Sequence, residues 1–310
     1  MENNIQEKES RSRLLKVLEK RGLFKLETVE SQLGRAVVTE IRNLEKAETA
    51  EGKVGFLHFL KVSIDNFSEL QEYGGGIFED AILELISLLK EKLVRRDDII
   101  CFDANLRDYY IITAVGKSDE AKEIAIRLLK GINNYLFKCI AKVELEKLRE
   151  RLGPLVKTDV EEEIRRRLEH IKNEYVKLTP DEEKKMREIV KPRAIEEKEK
   201  ADRMFKDIVN AMQRDKYEEV VVKYGKDIKY SGLTASIGIS LPGKIKGGKE
   251  FYEETQDTEF FKKLSGTMME SAAEACSNAQ EKDGNCIFQR LGSVKIDGEY
   301  PFVQIEEDQN

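Results

Sequence analysis

The run Phe56-Leu57-His58-Phe59-Leu60-Lys61-Val62-Ser63-Ile64 is nearly continuous in apolar residues, and it limits the folds open to this chain more than any other stretch. Such a short run is the mark of a strand buried on both faces. Gly74-Gly75-Gly76 then marks a turn, and Ile82, Leu83, Leu85, Ile86, Leu89 and Leu93 recur as on a helix. Two further apolar runs, Ile99-Ile100-Cys101-Phe102 and Tyr110-Ile111-Ile112, flank Asn105-Leu106-Arg107-Asp108-Tyr109 as the strands of a hairpin flank its turn. A second helix follows from about Ser118, with Ala121, Ile124, Leu128, Ile132 and Leu136. This β-α-β-β-α order predicts an α/β (α+β) sandwich, with helices laid on one face of a mostly antiparallel sheet.

Upstream, residues 11–48 read as helical. Leu14, Leu15 and Leu18 share a face, Gly22 interrupts, and Leu26, Val29, Leu33, Val37, Ile41 and Leu44 recur at helical spacing. That stripe needs a partner, either the downstream domain or a second copy of the chain. Between 141 and 215 the pattern is that of a coiled coil. Ala141, Leu145, Leu148, Leu152 and Leu155 form one narrow seam, and Ile164, Leu168, Ile171, Tyr175 and Leu178 another. Gly153-Pro154 marks a kink or turn between them, and Thr179-Pro180-Asp181-Glu182 carries the capping box of a further helix, with a bend at Pro192. Tyr217–Tyr224 and Leu233–Ser240 read as strands, 243–248 as a loop, Phe260–Glu281 as a helix and Cys286-Ile287-Phe288 as a closing strand.

Composition limits function. Of the 310 residues, 37% are charged and 40% hydrophobic, which suits a soluble protein with long solvated helices. No stretch is apolar enough for a membrane span, and the N-terminus lacks the regions of a signal peptide, so the expected location is the cytoplasm. The net charge of -6 gives no reason to expect nucleic acid or membrane as a partner. Cys101, Cys139, Cys276 and Cys286 lack metal spacing and read as reduced thiols; with only His58 and His170 besides, no histidine metal site and no cofactor are expected.

Ser63-Ile64-Asp65-Asn66-Phe67, the glycine turn before Asp80, the hairpin turn 105–109, Leu233–Ile239 and Ala272–Asn285 stand in the order and spacing of a GGDEF domain, the catalytic module of diguanylate cyclases, which this chain therefore resembles. The resemblance implies a nucleotidyl-cyclase-like palm. It also implies an organisation of N-terminal helical segment (1–50), GGDEF-like domain (51–140 and 216–292), helical insertion (141–215) and acidic tail (293–310). Such cyclases join two GTP molecules using divalent metals held by carboxylates. Here one metal-ligand position is Ser63. In the signature turn Asn105 and Leu106 replace the glycines and Arg107 the first acid, leaving only Asp108 and Tyr109. Two basic positions that meet phosphate fall on Gln280 and Gly284. Asp65 shares a face with Ser63 but lies about 7 Å along the strand and cannot simply substitute for it.

The resemblance thus implies a degenerate, non-enzymatic protein. Its expected role is regulation through protein partners, with self-association into a homodimer through the helical segments as one form and gating by a guanine nucleotide as a refinement. Gln71 and Asp80 fall at the guanine-reading positions, where an amide and an acid complement the base edge, and Arg107 at a place where a cation meets phosphate. The alternative for Gln71 and Asp80 is two ordinary polar residues at a helix edge. Arg95 and Asp98 have the Arg-x-x-Asp spacing of the family's product-inhibition site, one residue too far from the turn; a cyclic di-GMP receptor and a helix-end charge cluster both fit them. A residual cyclase or related nucleotidyltransferase built on Asp65 and Asp108 is the remaining alternative.

Overall fold

The computed structural model describes residues 12–46, 54–73, 75–117, 119–174, 179–225, 233–246, 258–282, 284–293 and 301–306. It divides into two compact units, residues 1–137 with 232–310, and residues 138–231.

The first unit is built on β2 (Val54–Ile64). Its residues pair antiparallel with β4 (Asp108–Val115) on one side, and with β5 (Ala235–Ile239) and β6 (Gly243–Lys246) on the other. The register sets Leu57 and Phe59 on one face of the sheet and Leu60, Val62 and Ile64 on the other, and all five are 0–1% exposed. With β1 (Phe24–Lys25), β3 (Ile99–Phe102), β7 (Ile287–Arg290) and β8 (Phe302–Ile305), the order is β1-β3-β4-β2-β5-β7-β8. The β1–β3 and β5–β7 pairs are parallel and the rest antiparallel, so the sheet is mixed.

Helices flank both faces, not one. On the first face, α2 (Val29–Lys46) presents Val29, Leu33, Val37 and Ile41 to Leu57, Phe59, Ile112 and the Met268 and Ala272 of α9 (Thr258–Glu281). The stripe that demanded a partner therefore finds it in its own sheet. On the other face α5 (Glu120–Lys157) offers Asn133, whose Oδ1 accepts from the Ala235 amide at 2.8 Å. Helix α4 (Gly75–Leu88) packs on α5, with the Tyr135 hydroxyl donating to the Ala81 carbonyl at 2.8 Å. A sheet whose central strand is apolar on both sides needs both covers.

The N-terminal segment is not one broken helix. Helix α1 (12–20) ends in a Schellman motif: the Gly22 amide bonds to the Glu19 carbonyl, the Leu23 amide bonds to the Leu18 carbonyl, and Gly22 has φ 79°. The chain then adds β1 to the sheet edge, a strand too short to leave a periodic signal.

In the second unit α6 (Val160–Glu174) packs Ile164 and Leu168 against Ala194 of α7 (Pro180–Arg214). Thr179 and Glu182 form the expected capping box. The expected break at Gly153-Pro154 is displaced: α5 runs through Pro154 to Lys157, and the Thr158 amide closes on the Pro154 carbonyl at 3.0 Å. Lys198 donates to the Val156 and Thr158 carbonyls, both at 2.8 Å, so a cation caps this helix end. Two other expectations fail. Tyr217–Tyr224 is not a strand but contains α8 (Glu218–Tyr224), held to α7 by Lys223 and Tyr224, which both donate to Asp207. Residues 243–246 are not loop but strand β6. Within the acidic tail, Phe302–Ile305 forms strand β8, paired with β7. Tyr175 and Leu178 of the second seam lie outside the described residues.

Candidate functional site

Strand pairing brings most of the departures from the signature together. Ser63 at the end of β2 stands directly opposite Asp108, the first residue of β4, and donates to its Oδ1 at 2.7 Å. On the other side Ser63 pairs with Ser236. One row further in, Lys61 lies between Tyr110 and Gly238. Its Nζ reaches Asp108 Oδ2 at 3.0 Å, with both side chains more than four-fifths buried. Burial works against the Lys61 charge, but Asp108 and Tyr110 more than offset it and hold its pKa above the ordinary lysine value.

Helix α9 supplies the lid of this cluster. Gln280 Nε2 donates to Ser63 Oγ at 3.0 Å and to Asp65 Oδ1 at 3.5 Å. Asp65 also accepts from Thr234 Oγ1 at 2.9 Å, from Ser236 Oγ at 2.9 Å and from the Asn285 amide at 3.3 Å. Gly284, with φ 73°, lies so close that a Cβ there would stand 2.5 Å from Asp65 Oδ2. Its glycine is thus required both by backbone conformation and by space.

The turn itself is closed by Asp103, whose carbonyl accepts from the Leu106 amide at 2.8 Å and whose Oδ1 accepts from the Asn105 amide at 3.0 Å. Leu106 is buried and sits at φ 62°, a left-handed conformation that costs a non-glycine residue about 1 kcal/mol or more. Arg107 is half exposed and 3.9 Å from Asp108. Tyr109 points into the fold, completely buried, and its hydroxyl has no partner among the described residues.

These residues do not fit a divalent cation. Such an ion needs free carboxylate lone pairs. Asp108 already holds the Lys61 ammonium and the Ser63 hydroxyl, so an entering cation would meet a fixed positive charge, and Asp65 accepts from four donors. Among the described residues no cluster of three or more His, Cys, Asp or Glu side chains could hold a metal. Lys61, which completes the cluster, is the residue that sequence reasoning missed. Its signal was a lone cation inside an apolar run, two residues before Ser63 and therefore on the same face.

The other sequence-predicted residues lie elsewhere. Gln71, on α3 (Phe67–Glu72), and Asp80, on α4, are exposed. Arg95 and Asp98 do meet, but they occupy each other. Asp98, with a side chain only 2% exposed, accepts from the Arg95 amide at 2.8 Å, from the Arg95 guanidinium at 3.1 Å and from Thr113 Oγ1 at 2.8 Å. Arg95 also donates to Thr113 Oγ1 and the Ala114 carbonyl. A cleft of about 240 Å³ runs beside the pair, lined also by Arg35, Thr39, Glu40 and Asn43 of α2.

No helix among the described residues is long and apolar enough to cross a membrane. No family model matches this chain, and no curated protein does.

Proposed function

We propose that this chain is a GGDEF-like regulatory protein that has kept the palm architecture without the cyclase reaction, and that it acts through protein–protein contacts under the influence of a guanine nucleotide. One observation carries the reading: the two carboxylates nearest the turn and the end of β2, Asp108 and Asp65, are already engaged by internal donors, Asp108 by the Lys61 ammonium. The palm assignment draws support from the hairpin turn standing beside the end of β2, and from Leu106, which occupies a signature glycine position and adopts a backbone conformation that glycine favours. Gln71 and Asp80 are exposed and so available to a ligand.

Purified protein given GTP with Mg²⁺ or Mn²⁺ is expected to form no cyclic di-GMP. Turnover that disappears in Asp108→Asn would overturn the inactive reading. Calorimetric titration with GTP and then cyclic di-GMP tests the nucleotide part. The cleft beside Arg95 favours a second reading, a cyclic di-GMP receptor. Binding of cyclic di-GMP that weakens in Arg95→Ala supports it, and binding that ignores this substitution removes the site.

A further inference from the structure

We infer that the Lys61 ammonium is a built-in cation, covalently held where a divalent ion would otherwise neutralise the carboxylate of the hairpin turn. The inference rests on reading this turn as a former metal site. The chain has not merely lost a ligand at Ser63; it has filled the place with a positive charge of its own and organised the neighbours around it.

The hydrogen bonds share one direction. Gln280 donates to Ser63, Ser63 donates to Asp108, and Asp108 accepts at its second oxygen from Lys61. The hydrogen bonds that reach the two carboxylates from these side chains all bring a proton towards them, an arrangement that suits a fixed cation and opposes a mobile one. The fixed position comes from packing. Lys61 has Gly238 as its neighbour on β5, and its Nζ lies 5.8 Å from the centre of the Tyr110 ring on β4. Gly238 is itself forced by α9, since a Cβ there would come within 2.0 Å of the Ala272 carbonyl oxygen. Helix α9 therefore closes over the strand beside Lys61, so the side chain is walled in on that side by backbone.

The test uses the full chain and Mn²⁺ as probe, with binding read by electron paramagnetic resonance and folding by circular dichroism. Wild type is expected to bind no Mn²⁺ at this place. Lys61→Met with Ser63→Asp removes the ammonium, keeps an apolar stem and restores a second carboxylate opposite Asp108; it is expected to bind Mn²⁺ at least about tenfold more tightly than wild type. Should that double variant fail to fold, Lys61→Met alone is expected to melt at a lower temperature and to recover with Mn²⁺ but not with NaCl of equal ionic strength. Lys61→Arg, which keeps the charge, is expected to melt near wild type and to gain nothing from Mn²⁺. Wild-type Mn²⁺ binding abolished by Asp108→Asn would overturn the inference. So would a folded double variant with wild-type affinity, or a Lys61→Met protein that Mn²⁺ does not rescue. None of these outcomes depends on nucleotide, so the regulatory reading stands or falls separately by the GTP and cyclic di-GMP titrations.

Discussion

His58 points into the opposite face of β2 from Lys61, fully buried, with Nδ1 3.3 Å from the Ser240 carbonyl. A carbonyl only accepts, so Nδ1 carries the hydrogen of a neutral ring. Burial lowers its pKa to about 4, against the smaller opposing effect of the Ser240 hydrogen bond. In an unfolded chain the ring titrates near 6.5. Between those values only the unfolded state takes up the proton, so stability is complete above pH ~6.5 and falls as pH drops towards 4, by about 3 kcal/mol in total. Urea unfolding at intervals from pH 7 to 4 is expected to show a shallower pH slope in His58→Gln than in wild type; equal slopes would count against this account. Ser63, Asp65 and Asp108 were individually legible because strand alternation fixes which side chains share a face. Lys61 was not, because its importance comes from a partner on another strand, and a sequence shows the lysine without showing what it meets.

Helix α9 and strand β5 approach each other closely. A methyl group at Gly238 would meet the Ala272 carbonyl oxygen at 2.0 Å and the Cys276 amide nitrogen at 2.3 Å. Both are backbone atoms and neither can rotate away. Gly238→Ala is therefore expected to cost about 3 kcal/mol or more, as overpacking does when nothing flexible can yield. Chemical denaturation checks this, and a loss below about 1 kcal/mol would show that α9 can shift outward. Long helices such as α2 and α7 were legible in their apolar period. Helix α8 was not: Val220-Val221-Val222 has the β-branched composition of a strand, yet Tyr217 and Val220 are buried and Lys223 and Tyr224 meet Asp207 of α7. Those helix-to-helix contacts outweigh a propensity of a few tenths of a kcal/mol per residue. Strands β1 and β6 are too short to show alternation and exist because a longer strand offers them an edge.

At the scale of the whole molecule the two units differ in how they are held. The sheet is covered on both faces, whereas α6 and α7 share a small apolar contact and are laced by exposed ion pairs such as Arg167–Glu197 and Lys172–Glu183. Exposed pairs contribute little, and salt screens them. Hydrogen exchange followed by mass spectrometry is expected to show α6 and the first half of α7 opening well before β2 and β4. Exchange of β2 ahead of α6 would contradict this. The architecture also sets an order of events in time. Phe59 of β2 bonds to Ser240, just past β5, across 181 residues, and the whole of residues 138–231 lies within that interval. An unfolded loop of that length must close before the sheet gains its second half, although the entropy of closure grows only slowly with length. If the helices between fold first from local contacts, they shorten the loop that remains. The rate at which the central strand finds its last neighbours is then set by how soon the residues in between become compact.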